Sequence, residues 1–344
     1  FINVIQPKWK SKIADKNNIQ KLIEKIKKSQ KSADFDCIVG MSGGIDSSYL
    51  LHLTSEYGLR PLVFHVDGGW NSQEAVNNIE KLVDKLDLDL YTEVIDWNEM
   101  HDLQLAYFKS SVPHIDTPQD HAFFATMYKF AELHNVKYIL TGANYSTECI
   151  RNPIEWMYYQ SDSRQLLDIQ KKFGTRKLKN FPLTNILWHK IFLPYIKGIK
   201  IVRPLDMMPF IKEDAKKSLI NKFGWQPYPQ KHFESRFTKF YESYWLPERF
   251  GYDTRRVQFS SLILTKQMTR SEAINELKVP AYDPENIHHD FNYIATKLGV
   301  TEDELRSYFK LPKKTYQDYK SQAFLYSLGG YIWKMLGIER GSKR

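Results

Sequence analysis

Cys37-Ile38-Val39-Gly40-Met41-Ser42-Gly43-Gly44-Ile45-Asp46-Ser47-Ser48 runs from an apolar stretch into two adjacent glycines flanked by hydroxyls and one carboxylate, and Tyr49, Leu50, Leu51 and Leu53 then open a helix-spaced pattern. The order predicts strand, phosphate-binding loop, helix. Paired glycines remove the Cβ atoms that would hold backbone N–H groups away from an anion, the helix N-terminus adds partial positive charge, and Ser42, Ser47 and Ser48 supply hydroxyl donors. Such a loop suits polyphosphate. It is not a Walker A loop, because no Gly-Lys-Ser/Thr closes it, and it lacks the GxGxxG of dinucleotide folds. The plainer alternative is a Gly-Gly turn between a buried strand and a helix.

Outward from the loop the same alternation continues. Residues 62–66 form a short β-rich run stopped by Asp67-Gly68-Gly69, and Val76, Ile79, Leu82, Val83 and Leu86 follow at helical spacing. Residues 88–95 read as a third strand, 98–112 as a helix, 136–140 as a fourth strand and 199–203 as a fifth. Between them Phe123, Met127, Phe130, Ala131 and Leu133 line a helix that begins near Pro118, where proline is tolerated. Strands alternating with helices predict an α/β fold, a parallel five-stranded sheet with helices on both faces, whose ligands sit at the carboxyl ends of the strands.

That edge selects candidates. Asp67 ends the second strand as a ribose or adenine contact, or as a turn-forming Asp-Gly. Asp120 and His121, polar groups in the first turn of the helix that begins near Pro118, would together point toward this ligand edge, while Asp116 or Thr117 alone reads as a helix cap. Asn144 lies in the loop after the fourth strand, Arg151 is a candidate for a substrate phosphate or carboxylate, and Arg203 ends the fifth strand as a phosphate ligand or a salt-bridge partner.

Before the loop, residues 1–15 read as irregular, and Ile19, Leu22, Ile23 and Ile26 predict an amphipathic helix. The sequence begins with Phe1 rather than methionine, and a missing upstream part is expected. Residues 152–198 are aromatic without a clean period. Beyond about 225 the pattern is helical and basic, with Arg236, Arg249, Arg255 and Arg256 interleaved among aromatic residues. That mixture can stack on bases and grip phosphates, or it can form packed helix surfaces with snorkelling cations. Thr269 and Glu272 predict a capping box, and helices are expected near 287–298, 301–309 and 315–336.

The 344 residues are 42% hydrophobic and 26% charged, the profile of an ordinary globular protein able to bury a full core. No run of 18 apolar residues predicts a membrane span, and no signal-peptide pattern opens the chain, so a cytoplasmic location is expected. Two cysteines, Cys37 and Cys149, exclude a disulfide framework and a cysteine zinc site. A net charge of +9 suits nucleic acid, and equally a polyanionic small substrate such as ATP with a nucleotide sugar.

The Ser-Gly-Gly-x-Asp-Ser order after a strand resembles the PP-loop of the ATP pyrophosphatase superfamily, whose members cleave ATP to AMP and pyrophosphate while adenylating an acceptor oxygen. The resemblance implies that Ser42, Gly43, Gly44 and Ser47 cradle pyrophosphate, that Asp46 helps hold Mg²⁺, that Gly142 contacts the nucleotide, and that Glu148 is a second Mg²⁺ ligand. Asp46 and Ser47 are the implied catalytic residues. Glu148 read alone could be an exposed helix-start carboxylate.

More specific stretches are 41–47, His65-Val66-Asp67-Gly68-Gly69-Trp70-Asn71, Thr117-Pro118-Gln119-Asp120-His121, Thr141-Gly142-Ala143-Asn144, Phe250-Gly251-Tyr252-Asp253-Thr254-Arg255-Arg256 and 267–273. Together they resemble the N-acetyl sugar amidotransferase family typified by WbpG and PseA, over about residues 35–310. The resemblance implies ATP and Mg²⁺, a nucleotide-linked N-acetyl sugar converted to an acetamidino sugar for surface polysaccharide such as lipopolysaccharide O-antigen, and ammonia supplied by a glutaminase subunit with a protein like the cyclase half of imidazole glycerol phosphate synthase. It also implies a PP-loop domain over 1–225 and a helical C-terminal region over 226–344 for substrate or partner binding. Family members usually carry a cysteine-rich, zinc-binding N-terminal segment, which this sequence lacks: it was removed, or this member dispenses with it. The alternative is a PP-loop enzyme that thiolates or amidates a tRNA base, although the chain carries neither a cysteine pair nor a recognisable RNA module.

Overall fold

A computed structural model describes residues 2–3, 5–15, 17–30 and 34–335. Phe1 and the end of the helix expected over 315–336 lie outside them. Five strands, β1 (Cys37–Gly40), β2 (Pro61–Asp67), β3 (Leu90–Val94), β4 (Tyr138–Leu140) and β5 (Lys200–Val202), form one sheet in the order β3-β2-β1-β4-β5. All four pairings are parallel. Parallel neighbours need crossovers, and helices supply them.

Strand alternation divides the apolar side chains between two faces. Ile38, Leu62, Phe64, Val66 and Ile139 point to one side, where α5 (Trp97–Ser110) and α6 (Thr117–Leu133) contribute Met100, Leu103, Tyr107, Phe108 and Tyr128. Cys37, Val39, Val63, Tyr138 and Leu140 point to the other. There they meet α2 (Asn17–Ser29), α3 (Ile45–Glu56), α4 (Gln73–Leu86) and α9 (Lys212–Phe223) through Ile19, Leu51, Leu82 and Phe223. Both faces of β1 and β2 are covered, as a parallel sheet requires. The first face continues into the C-terminal helices: Phe237, Phe240, Trp245, Phe291, Ile294 and Leu305 belong to the same core as Ile38 and Phe64.

Four local expectations need correction. Residues 5–14 are not irregular but form α1 (Ile5–Ala14), held by burial of Trp9, whose ring meets Tyr145 edge-on at 6.2 Å between centroids. Within 152–198 lie α8 (Ser163–Phe173) and a π-type helix, Trp188–Ile196, with Pro194 inside it. The wider winding of a π-helix explains the missing 3.6 period. The long terminal helix is a capped turn, Tyr316–Asp318, followed by a separate helix, Ala323–Met335. Asp116 and Thr117 do not cap α6: the Asp116 side chain makes no capping bond, and the Thr117 hydroxyl donates back to His114 O. The Thr269–Glu272 capping box is present.

Candidate nucleotide site

Between β1 and β4 the strand order reverses, because β2 and β3 extend one way and β4 and β5 the other. Such a switch point opens a crevice at the carboxyl ends of the strands. The loop after β1 and the loop after β4 meet there. A Cβ on Gly142 would lie 2.7 Å from the Asp46 carbonyl carbon and 2.9 Å from Ser47 N, so only glycine lets the two loops touch.

The loop after β1 is built around its hydroxyls. Gly44 N donates to Ser42 Oγ (3.2 Å), Ser47 Oγ donates to Gly44 O (3.1 Å), and the two serine hydroxyls lie 3.2 Å apart. Gly44 occupies the N-cap of α3 and offers no side-chain acceptor, so the first-turn N–H groups keep their donor capacity. This is an uncapped helix N-terminus beside two hydroxyls, a site for an anion.

Asn144 links the loops. Its Nδ2 donates to Asp46 Oδ1 (3.2 Å) and Gly142 O (3.0 Å), while its Oδ1 accepts from Thr147 N (2.9 Å) and Thr147 Oγ1 (3.1 Å). With its whole amide engaged, Asn144 fixes the orientation of Asp46. Glu148 ends α7 (Tyr145–Glu148), and Lys231 lies between the two carboxylates, 3.2 Å from Asp46 Oδ2 and bonded to Glu148 Oε1. Burial acts to raise the Glu148 carboxyl pKa and to lower that of the Lys231 ammonium. The Lys231 charge outweighs burial at Glu148 and lowers its carboxyl pKa, and the Asp46 charge, with that of Glu148 next, outweighs burial at Lys231 and raises its ammonium pKa. Burial dominates at nearby Lys212 and lowers its ammonium despite the Asp46 charge.

Among the described residues no group of three or more His, Cys, Asp or Glu side chains converges. A two-carboxylate set nevertheless fits Mg²⁺, which commonly takes one or two carboxylates and completes its shell with phosphate oxygens and water. The Lys231 ammonium between the same oxygens is a stand-in of the right sign.

The remaining candidates are distributed around this centre. Asp67 Oδ1 accepts from Gly69 N (2.7 Å) and Asn71 Nδ2 (3.1 Å), closing its own turn. Arg203 donates to Ala143 O (3.1 Å), pairs with Asp206 (2.8 Å) and covers the Tyr145 ring. His121 is fully buried, with Nδ1 on Gln160 O (2.7 Å) and Nε2 accepting from Thr184 N (3.0 Å), and Arg151 is exposed. Asp120 bonds the Tyr158 hydroxyl and Gln160 Nε2. In the basic tail, Arg249 donates to Leu311 O, Arg255 pairs with Asp253, and Arg236 lies 3.3 Å from the Tyr293 centroid. These three arginines act as packed, partnered cations.

Four side chains that the sequence did not single out also face this region: Lys231, His232, Glu234 and Glu242. His232 Nδ1 lies 3.0 Å from Glu242 Oε1, and the Glu242 charge outweighs burial to raise the imidazole pKa to about 9. Lys231, His232 and Glu234 come from an irregular segment marked in the sequence by Tyr228-Pro229 followed by a cluster of charged and His residues, whereas Glu242 lies in the π-type helix Tyr241–Trp245 and reaches the region through His232.

One buried carboxyl yields a pH prediction. Asp116 bonds Gln119 and accepts from the Thr238 hydroxyl (2.7 Å), and burial, with the Asp120 charge next, pushes its pKa up to about 7 from 3.8. The folded state therefore holds this proton more tightly than the unfolded state. Its stabilising contribution is full below the unfolded pKa and is lost as pH rises to about 7. Asp116→Asn is expected to lose less thermal stability than the parent between about pH 5 and pH 8, checked by melting curves at both.

Residues 36–201 match the family model described as the phosphoadenosine phosphosulfate reductase domain, and residues 234–335 match the LPS biosynthesis protein WbpG-like, C-terminal domain. Among solved structures the chain is similar to NMN synthetase from Francisella tularensis, at 16% identity over 74% of this chain and 94% of that one, TM-score 0.32. It is also similar to NH3-dependent NAD synthetase from Campylobacter jejuni, at 12% over 89% and 98%, TM-score 0.37. A third similarity is to the U34-tRNA thiolase NcsA from Methanococcus maripaludis, at 13% over 73% and 80%, TM-score 0.31. No curated protein matches.

Proposed function

We propose that this chain, an ATP-using, WbpG-like member of the PP-loop superfamily, is an amidotransferase that converts the acetamido group of a nucleotide-linked N-acetyl sugar into an acetamidino group. The observation that carries the reading is the uncapped phosphate loop at the β1/β4 switch point, with Asp46 and Glu148 directed at one cation position. A loop and a carboxylate pair of this kind suit departure of pyrophosphate. The WbpG-like match over 234–335 supports a sugar of surface polysaccharide as the acceptor.

In this reading residues 1–225 carry the adenylation machinery and 226–344 complete the acceptor side. Ser42, Gly43, Gly44 and Ser47 receive the pyrophosphate end of ATP, and Gly142 lets the second loop approach the nucleotide. Asp46, oriented by Asn144, and Glu148 would hold Mg²⁺, which supplies charge neutralisation at the leaving oxygens. The sugar's carbonyl oxygen forms a bond to the α-phosphorus as the bond to the β-phosphate bridge breaks. Ammonia nitrogen then bonds to the activated carbon, the carbon–oxygen bond breaks, AMP leaves, and a proton is released. Asp120, His121, Arg151 and Arg203 are proposed to shape the acceptor side, directly or through the loops they brace. The ammonia source is proposed to be a glutaminase subunit acting with a cyclase-like protein.

AMP and pyrophosphate release from ATP, Mg²⁺ and ammonium, with a UDP-linked diacetamido sugar against bulk tRNA, tests the reading. Sugar-dependent AMP with a product about one mass unit lighter, as oxygen becomes NH, is the expected result. AMP release stimulated by tRNA alone would replace the sugar with a nucleic-acid acceptor. In the same assay Glu148→Ala is expected to raise the Mg²⁺ concentration for half-maximal rate about tenfold or more. An unchanged Mg²⁺ titration would leave Glu148 a surface carboxylate.

Among the described residues no helix is long and apolar enough to cross a membrane.

A further inference from the structure

The segment 225–235 crosses the phosphate loop and is fastened at both ends. At its start Trp225 Nε1 and Tyr228 OH both donate to Gly43 O, at 3.1 and 3.3 Å. At its end Ser72 N donates to Glu234 O (2.9 Å), Asn71 and Ser235 form an isolated antiparallel bridge, and Arg236 N donates to Trp70 O (2.8 Å). Between these anchors two side chains of opposite charge enter the site. Lys231 holds Asp46 and Glu148 together from one side. Glu234 Oε1 accepts from Ser42 Oγ (3.3 Å) and lies against Gly44 so closely that a Cβ there would be 2.6 Å from it. His232, between them, has φ +67, a left-handed conformation that an L residue adopts at a cost.

Each charge is placed where a ligand of the same sign would go. A cation lies between two carboxylates, and a carboxylate oxygen lies on the serine and glycine of an anion loop beside a helix N-terminus. We propose that the strap 228–235 is an internal occupant of the nucleotide site, with Lys231 in the place of the divalent metal and Glu234 in the place of a phosphate oxygen, so that metal-bound nucleotide binds only by displacing both. The proposal rests on the nucleotide-site reading above. It makes the resting protein self-inhibited: affinity for metal and phosphate is reduced by the fraction of time the strap is seated.

Two binding measurements that need no turnover test it. Mn²⁺ binding without nucleotide, followed by electron paramagnetic resonance, is expected to tighten about tenfold in Lys231→Met, because the tethered competitor is gone. Calorimetric binding of inorganic pyrophosphate with Mg²⁺ is expected to tighten by a similar factor in Glu234→Gln, and amide exchange over 228–235 in the parent protein is expected to speed up when pyrophosphate is added. Weaker pyrophosphate binding in Glu234→Gln, or slower or unchanged exchange over 228–235 at saturation, would make the strap a lid that contacts ligand and would overturn the proposal. Folded parent and variant proteins that bind neither Mn²⁺ nor pyrophosphate would instead overturn the nucleotide-site reading, and this inference with it.

Discussion

Asp46→Ala is expected to lower AMP formation about a thousandfold or more, equivalent to about 4 kcal/mol of transition-state stabilisation, with little change in the melting curve. Asp46 lies in the first turn of α3, its Oδ1 fixed by Asn144 and its Oδ2 on Lys231, and none of these contacts belongs to an apolar core. Removing the carboxylate leaves Lys231 with Glu148 as a partner, so the buried ammonium is not orphaned. The effect should therefore appear in chemistry rather than folding. A conservative Asp46→Asn variant would keep the bond to Asn144 and lose the charge, and its rate should fall nearly as far. Retained AMP formation in either variant would remove Asp46 from the metal role.

Gly43→Ala is expected to damage both the site and the fold. Gly43 has φ +80, and a Cβ there would lie 2.7 Å from Ala75 O and 2.9 Å from Ala75 Cα, backbone atoms in the first turn of α4 that cannot rotate away. Left-handed strain and the clash together should cost about 2–4 kcal/mol, lower the melting temperature by about 5 °C, and abolish pyrophosphate binding because the loop must shift. Gly224→Ala is the matched control. Its φ is +66, but a Cβ would meet nothing within 4 Å, so only the conformational penalty of about 1 kcal/mol should be measured. Equal losses in the two variants would mean that contact with α4 does not hold the loop.

The central strands and the phosphate loop were legible because their signals are local and periodic. Ile38, Val39, Leu62, Val63 and Phe64 are apolar on both faces, and the glycines after β1 have few other uses. Asp46 and Glu148 were implied by the superfamily resemblance, and the structure brings them to one ammonium. Lys231 and Glu234 were not legible. Lys231 lies 185 residues along the chain from Asp46 and 83 from Glu148, and Glu234 lies 192 from Ser42, on a segment without a period, in a chain where charged side chains are common. Asp116 misled for a different reason. Its residue type and position fit a cap, but its backbone is already helical at φ −87 and ψ −2 and its side chain reaches Thr238 instead. Trp9 misled because one buried aromatic ring, which no short pattern reveals, is enough to dock a helix.

The continuity of the first core has a consequence for how the molecule opens. Phe237, Trp245, Phe291 and Leu305 complete the packing that Ile38, Phe64 and Phe108 begin, so the tail finishes the face on which the sheet rests. A chain shortened ahead of residue 234 would present those rings to water. Division of labour along the chain therefore need not be division of stability: sheet amides and C-terminal helix amides should exchange as one cooperative unit, and a lesion in either half should be felt as unfolding of both.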